Sequence, residues 1–284
     1  MKLNDTLYVS DLDRTLLKDD QTLSEETTSY LVNAAKKGLN FTYATARSLA
    51  SSGFVLKGLE LQLPVILYNG AQIYCPKKEA YIHSSYMESG VYSKLLKQLI
   101  GDGLNPIVHS LDEDDKLRVY FQTVTYESMV KWINSRLKNG DDRFRVTIDF
   151  SEIETSKVIS LVMTGPYEQL REYEQQLSAE PTISHVLSED VYCEGHYLLE
   201  ISHMDANKGF AVEKLRDHLG LENIVSFGDN NNDLPMFKKS TRSLAVCNAK
   251  EPVQNAASGV IGHHNEDAVI SYIKEVCHEN LESR

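Results

Sequence analysis

Five short apolar runs along the chain share one design, each strand-like and each stopping at a polar residue or a turn. Leu7-Tyr8-Val9 runs into Asp11, Phe41-Thr42-Tyr43-Ala44 into Thr45, and Pro64-Val65-Ile66-Leu67-Tyr68 into Asn69-Gly70. Far downstream, Ile224-Val225-Ser226-Phe227 runs into Gly228-Asp229, and Leu244-Ala245-Val246 into Asn248. Helical segments separate most of them. One starts at Ser24 as N-cap with Glu25 and Glu26 in its first turn, contains Leu31, Ala34 and Ala35, and ends at Gly38. Another is predicted from about Ala206 to Leu219, with Asp205 as N-cap, Ala211, Leu215 and Leu219 on one face, and Gly220 as its stop. Near-continuous apolar strands alternating with helices predict an α/β fold with a doubly wound, Rossmann-like parallel sheet covered on both faces. Ligands bind beyond the carboxyl ends of such strands, so all five polar ends are expected at one edge.

The middle of the chain has a different texture. Strands are predicted at Leu117 to Val124, Phe144 to Ile148, Val158 to Met163, Ile183 to Leu187 and Tyr197 to Ile201, and helices near Tyr126 to Leu137 and Tyr167 to Leu177. These strands tend to end in loops without acids, which reads as a separate α+β module inserted into the parallel core. The expected division is a core of residues 1–83 and 203–284 with an insert of 84–202. The acidic run Asp112-Glu113-Asp114-Asp115 is expected to be a solvated loop.

At 284 residues the chain is long enough for two domains, and 42% hydrophobic with 25% charged residues is an ordinary globular balance. A net charge of -12 without a basic stripe argues against nucleic acid as partner, and means that a small anionic substrate needs local cations in its pocket. No apolar run approaches the roughly 18 residues of a membrane span and the start lacks a signal-peptide core, so the expected location is the cytoplasm without membrane association. Cys75, Cys193, Cys247 and Cys277 are scattered without Cys-x-x-Cys spacing, which predicts reduced, packed thiols and neither a zinc site nor a disulfide framework.

The chemistry starts with Asp11 and Asp13. Residues i and i+2 of an extended segment face the same way, so both carboxylates can converge while Leu12 turns back into the core, at a cost in mutual repulsion. Alone, this pair reads as a strand entering a polar turn. The later turn Gly228-Asp229-Asn230-Asn231-Asn232-Asp233 adds two more carboxylates at another strand end. Hard oxygen ligands without His or thiolate nearby fit Mg²⁺. Lys208 falls in the first turn of a helix, where the macrodipole disfavours a cation, so an anion is expected beside it: Asp205, or a bound phosphate. Thr45 can donate to a phosphoryl oxygen or satisfy backbone. Arg47 is a candidate for phosphate or substrate, with a surface role as the default. Asn69-Gly70 reads either as a plain turn or as a pocket wall.

Together, Asp11-Leu12-Asp13-Arg14-Thr15, Thr45, Lys208-Gly209 and Gly228-Asp229-Asn230-Asn231-Asn232-Asp233 resemble the haloacid dehalogenase superfamily, most closely its Cof-like phosphatases with a large inserted cap. Order and separation match over essentially the full chain. The resemblance implies a Mg²⁺-dependent phosphatase acting on a small phosphomonoester, with Asp11 as nucleophile and Asp13 as general acid and base. It implies metal held by Asp11, Asp229 and the backbone carbonyl of Asp13 with Asp233 in support, and Thr45 and Lys208 gripping the phosphoryl group. Arg14, Arg47, Asn69, Gly70 and Asn232 fall on the substrate side, and the cap is expected to close over the core. Two positions depart from the pattern: Arg14 replaces a common Gly, and Ala46 replaces the Gly usual between Thr and Arg. Arg14 is expected to contact substrate or cap. A phosphomutase, a hydrolytic dehalogenase and a non-catalytic phosphate-binding regulator are the alternatives. The retained Asp13, Asp229 and Asp233 weigh against the last two, and no motif selects the hydroxyl compound.

Overall fold

The computed structural model describes residues 3–59, 61–138, 140–190 and 195–282. They divide into two compact units, Met1–Ser84 with Asp205–Arg284, and Ser85–Met204. In chain order the first unit opens with β1 (Thr6–Ser10), α1 (Glu25–Lys36), β2 (Asn40–Tyr43), α2 (Leu49–Val55), β3 (Val65–Leu67), β4 (Gln72–Cys75) and β5 (Ala80–Ser84). The second unit comprises α3 (Ser89–Gly101), β6 (Ile107–Leu111), β7 (Leu117–Phe121), α4 (Glu127–Lys138), β8 (Phe144–Val146), β9 (Val158–Pro166), α5 (Tyr167–Leu177), β10 (Ile183–Glu189) and β11 (His196–His203). The chain then returns to the first unit with α6 (Lys208–Leu219), β12 (Asn223–Gly228), α7 (Leu234–Lys239), β13 (Arg242–Val246), α8 (Glu251–Ala256), β14 (Gly259–Ile261) and α9 (Ala268–Glu282).

In the first unit a five-stranded sheet runs β14-β13-β12-β1-β2, parallel throughout. β1 sits inside it, and every one of its residues is buried. On one face Leu7 and Val9 pack with Ile224, Ala245, the α6 residues Ala211, Val212 and Leu215, and Met236 and Phe237 of α7. On the other, Phe227 meets Tyr272 of α9 edge to face at 5.7 Å. Helices therefore cover both faces, and this is why the strands read as apolar runs without alternation. Truncating one such side chain, Leu7→Ala for example, is expected to cost about 2–5 kcal/mol.

The third apolar run departs from expectation. β3 belongs to a separate antiparallel sheet, β3-β4-β5, and meets β2 through one parallel bridge, Ala44 with Ile66. Its polar end still arrives at the edge, because the Tyr68 amide donates to the Arg47 carbonyl and the Asn69 amide to that of Thr45. β14 takes the fifth place in the parallel sheet. Ser24 caps α1 by accepting from the Thr27 amide at 2.9 Å. Asn207, not Asp205, caps α6, accepting from Phe210 at 2.9 Å, since it is the residue immediately before the first helical turn.

The second unit has a six-stranded sheet, β10-β11-β9-β6-β7-β8, antiparallel except for the β7–β8 pair. Alternate residues point to opposite faces: Val108, Leu161 and Leu199 pack with α3 and α5, while Ile107, Val119 and Phe144 pack with Ile133 of α4. Asp112 builds the β6–β7 turn, where its Oδ1 accepts the amides of Asp114 and Lys116 and its Oδ2 takes Arg118 Nε at 2.8 Å. Cys75 is buried and Cys247 exposed, both unpaired; Cys193 and the Cys277 side chain lie outside the described residues. No helix among the described residues is long and apolar enough to cross a membrane.

Candidate active site

Asp11, Asp229 and Asp233 converge at the carboxyl edge of the parallel sheet, each offering an oxygen within 4.8 Å of the others, and all three are buried. β1 delivers Asp11 and β12 delivers Asp229, and the adjacent parallel pairing of these strands brings together residues more than two hundred positions apart. Lys208 enters the same point from the first turn of α6. Fully buried, its Nζ donates to Asp11 Oδ1 at 2.5 Å and to Asp233 Oδ1 at 2.7 Å. The anion expected beside this lysine is thus a pair of carboxylates.

Each neighbour has a defined task. Asp233 Oδ2 accepts the amides of Asp229 at 2.9 Å and Asn230 at 3.0 Å, so one carboxylate both folds the turn and holds the ammonium. Gly228 makes this possible, because a Cβ there would fall 2.5 Å from the Asp233 carboxyl carbon. Thr15 donates to Asp229 Oδ1 at 3.2 Å. Among the described residues no protein donor reaches the second oxygens of Asp11 and Asp229. Burial pushes the Asp11 carboxyl well above the usual range, with Lys208 opposing and Asp233, Asp229 and Asp13 adding to the rise. Burial, then Asp233, pushes Asp229 up to about 7 against the pull of Lys208, Thr15 and Arg14. Burial alone would lower the Lys208 pKa, but Asp11 and Asp233 more than reverse that and raise it.

Three carboxylates against one ammonium leave a surplus of two negative charges when all are ionised. The donors are all hard oxygens, two of them with an unengaged oxygen, and a divalent cation of the Mg²⁺ type fits both the charge and the chemistry. The Asp13 carboxylate lies outside this cluster. Half exposed, it is gripped from two sides by Arg47, Nε to Oδ2 at 2.8 Å and Nη2 to Oδ1 at 2.6 Å.

Arg47, expected from the sequence to meet phosphate or substrate, pairs with Asp13 in this structure. Its guanidinium is engaged by Asp13, by Gln21 Oε1 at 2.8 Å and by Ser51 Oγ at 3.3 Å. Thr45 is fully buried, and its hydroxyl accepts the Arg47 amide at 3.1 Å, which leaves its own proton for an anion. Asn69, in the left-handed region at φ 52°, accepts from Asn232 Nδ2 at 3.0 Å, which joins the third run's polar end to the Asp229 turn. Gly70 is a packing position: a Cβ there would fall 2.3 Å from the Asn207 carbonyl oxygen. Arg14 has the positive φ, 58°, that a glycine would adopt freely, and its side chain is exposed. Thr15 stands inside the quoted motif without an assigned role, and Gln21 carries no sequence signal at all.

A doubly wound core with buried acids and an ammonium at its carboxyl edge puts a charged site where such sheets bind their ligands. A family model described as haloacid dehalogenase-like hydrolase matches residues 8–273, and the chain belongs to that family, within its Cof-like type. It is 27% identical over 281 residues to the 5-amino-6-(5-phospho-D-ribitylamino)uracil phosphatase of Bacillus subtilis (strain 168), covering 97% of this chain and 98% of the relative. To the HMP-PP phosphatase of Enterobacter sp. (strain 638) it is 27% identical over 275 residues, 94% of each chain. The crystal structure of a haloacid dehalogenase-like hydrolase from Bacteroides thetaiotaomicron matches it with a TM-score of 0.77 at 22% identity, over 95% of this chain and 99% of that one, a likeness of fold. The chain is an enzyme, a phosphoric monoester hydrolase.

Proposed function

We propose that the enzyme is a Mg²⁺-dependent phosphatase that hydrolyses small phosphorylated metabolites through an aspartyl-phosphate on Asp11. The observation that carries this reading is the meeting of Asp11, Asp229 and Asp233 about the Lys208 ammonium. Asp11, with one oxygen held by Lys208, attacks phosphorus with the other, and the bond from phosphorus to the ester oxygen breaks. Asp13, once released from the Arg47 fork and protonated, gives that proton to the departing alkoxide, then takes one from the water that attacks phosphorus; the bond from phosphorus to the Asp11 oxygen breaks, freeing the Asp11 carboxylate and inorganic phosphate. Lys208 and the Thr45 hydroxyl meet the anionic phosphoryl oxygens. Asp11, Asp229 and the Asp13 carbonyl would hold Mg²⁺, with Asp233 holding the turn that carries Asp229. When bound, the ion would neutralise charge on the transferring oxygens.

The substrates printed in the names of the relatives belong to those proteins, and they are the first compounds to test here. A panel of phosphomonoesters that includes 5-amino-6-(5-phospho-D-ribitylamino)uracil is expected to yield free phosphate with Mg²⁺ and none with chelator. Release without any added acceptor separates a phosphatase from a mutase. Asp11→Asn is expected to abolish release, and the reading fails if that variant turns over like wild type or if wild type with Mg²⁺ is silent on every ester.

A further inference from the structure

Arg14 follows Asp13 directly and stands at φ 58°, ψ 16°, a left-handed conformation that a Cβ disfavours. Its carbonyl accepts a hydrogen bond from Asn248 Nδ2 at 2.9 Å. Asn248 is itself fixed, because its Oδ1 accepts the His264 amide at 3.2 Å, so the amide's donor end must face the Arg14 carbonyl. His264 is buried and packs its Nε2 3.0 Å from Asp19 Oδ1, while Asn265 exchanges two hydrogen bonds with Asp19. The segment bearing Asp11 and Asp13 is therefore clasped at residues 14 and 19 by two later loops. Two residues beyond Asn248, the Lys250 amide donates to the Asp229 carbonyl at 3.1 Å. One short loop thus braces both acid-bearing segments.

We infer that Asn248 is a positioning residue: through its hydrogen bond to the Arg14 carbonyl it holds the left-handed turn, and so fixes Asp13 on one side of that turn and Thr15, with its bond to Asp229, on the other. The side chain touches no reacting atom. Its kinetic consequence rests on the phosphatase reading; its effect on the turn does not.

A double-mutant cycle between positions 248 and 14 tests this. Asn248→Ala is expected to lower kcat by about 10–100-fold, the scale of a small misplacement of a catalytic group, while changing KM far less. Backbone amides of residues 12–17 are expected to exchange faster in that variant. In the Arg14→Gly background, where glycine takes the turn unaided, Asn248→Ala should change kcat and exchange within about threefold. Any contribution of the Arg14 side chain to substrate binding cancels in this comparison. Asn248→Asp, nearly the same shape, keeps the oxygen for His264 but turns an acceptor toward the Arg14 carbonyl, and should lose at least as much should the alanine variant fold poorly. Unchanged kcat and exchange in Asn248→Asp, or an equal loss in both backgrounds, overturns the assignment. If wild type itself releases no phosphate, the phosphatase reading falls and the exchange comparison alone decides this one.

Discussion

Lys208 is the residue on which the electrostatics of the site turn. It is the cation paired within hydrogen-bonding distance of two buried carboxylates, so Lys208→Met leaves Asp11 and Asp233 uncompensated. The expected loss in kcat is about 100-fold or more. Metal-free stability should fall by about 3–5 kcal/mol at pH 8, and by less at pH 6 where the raised Asp11 carboxyl can take up a proton. Urea denaturation in chelator measures this, and added Mg²⁺ should recover part of the loss. Asp229 makes a second prediction. With its carboxyl raised to about 7, the folded metal-free protein holds a proton that the unfolded chain releases above its ordinary pKa near 4. The contribution of this group is therefore greatest at low pH and declines as pH rises from about 4 to 7. Melting temperatures in chelator should show a shallower decline across that window for Asp229→Asn than for wild type. On the proposed reading, metal held by Asp229 would displace the same proton, so apparent Mg²⁺ affinity should rise with pH up to about 7; an affinity flat from pH 6 to 8 would contradict this.

At the scale of elements, the strand-end turns carry the precision of the site. Gly228→Ala would drive Asp233 off the strand end, and is expected to cost about 1–3 kcal/mol in stability and to raise the Mg²⁺ needed for half-maximal activity. A titration of activity against Mg²⁺ checks this. These turns are also what the sequence makes most legible: strands buried on both faces appear as unbroken apolar runs, and acids at their ends have few other uses. Elements outside that pattern are harder to see. β6 is hidden because its run is broken by His109 and by Ser110, a fully buried residue whose hydroxyl bonds backbone carbonyls. β14 is three residues beside glycines, and β4 and β5 are short strands of the separate antiparallel sheet. α3 does show helical spacing, in Tyr92, Leu95 and Leu99, all buried. At the site, Asp11, Asp229, Asp233 and Lys208 are legible because each breaks a local rule that only a partner can mend. The Arg47–Asp13 pair and Asn248 are not, because a polar side chain's choice of partner depends on loop paths that spacing does not encode.

For the molecule as a whole, Asp229 in the first unit and His109 in the second answer pH in opposite senses. In the second, burial and then the charge of Arg143 hold the His109 imidazole down at about 4, while its Nδ1 lies 3.1 Å from Ser160 Oγ. The unfolded chain takes up that proton near 6.5, so the stability owed to neutral His109 is complete above 6.5 and is lost as pH falls toward 4. His109→Asn should flatten the acid side of the melting curve of the full chain, and a slope equal to wild type would refute the assignment. The sheet order also bears on biosynthesis. β1 lies between β2, its early neighbour, and β12, which the ribosome makes only after the whole of Ser85–Met204. That middle segment is contiguous and, among the described residues, finds every strand partner within itself, so it can settle while translation continues. Asp11 cannot: it is made before Lys208 and the Asp229 turn, so in a nascent chain the carboxylate proposed as nucleophile lacks its partners until synthesis has passed Asp233.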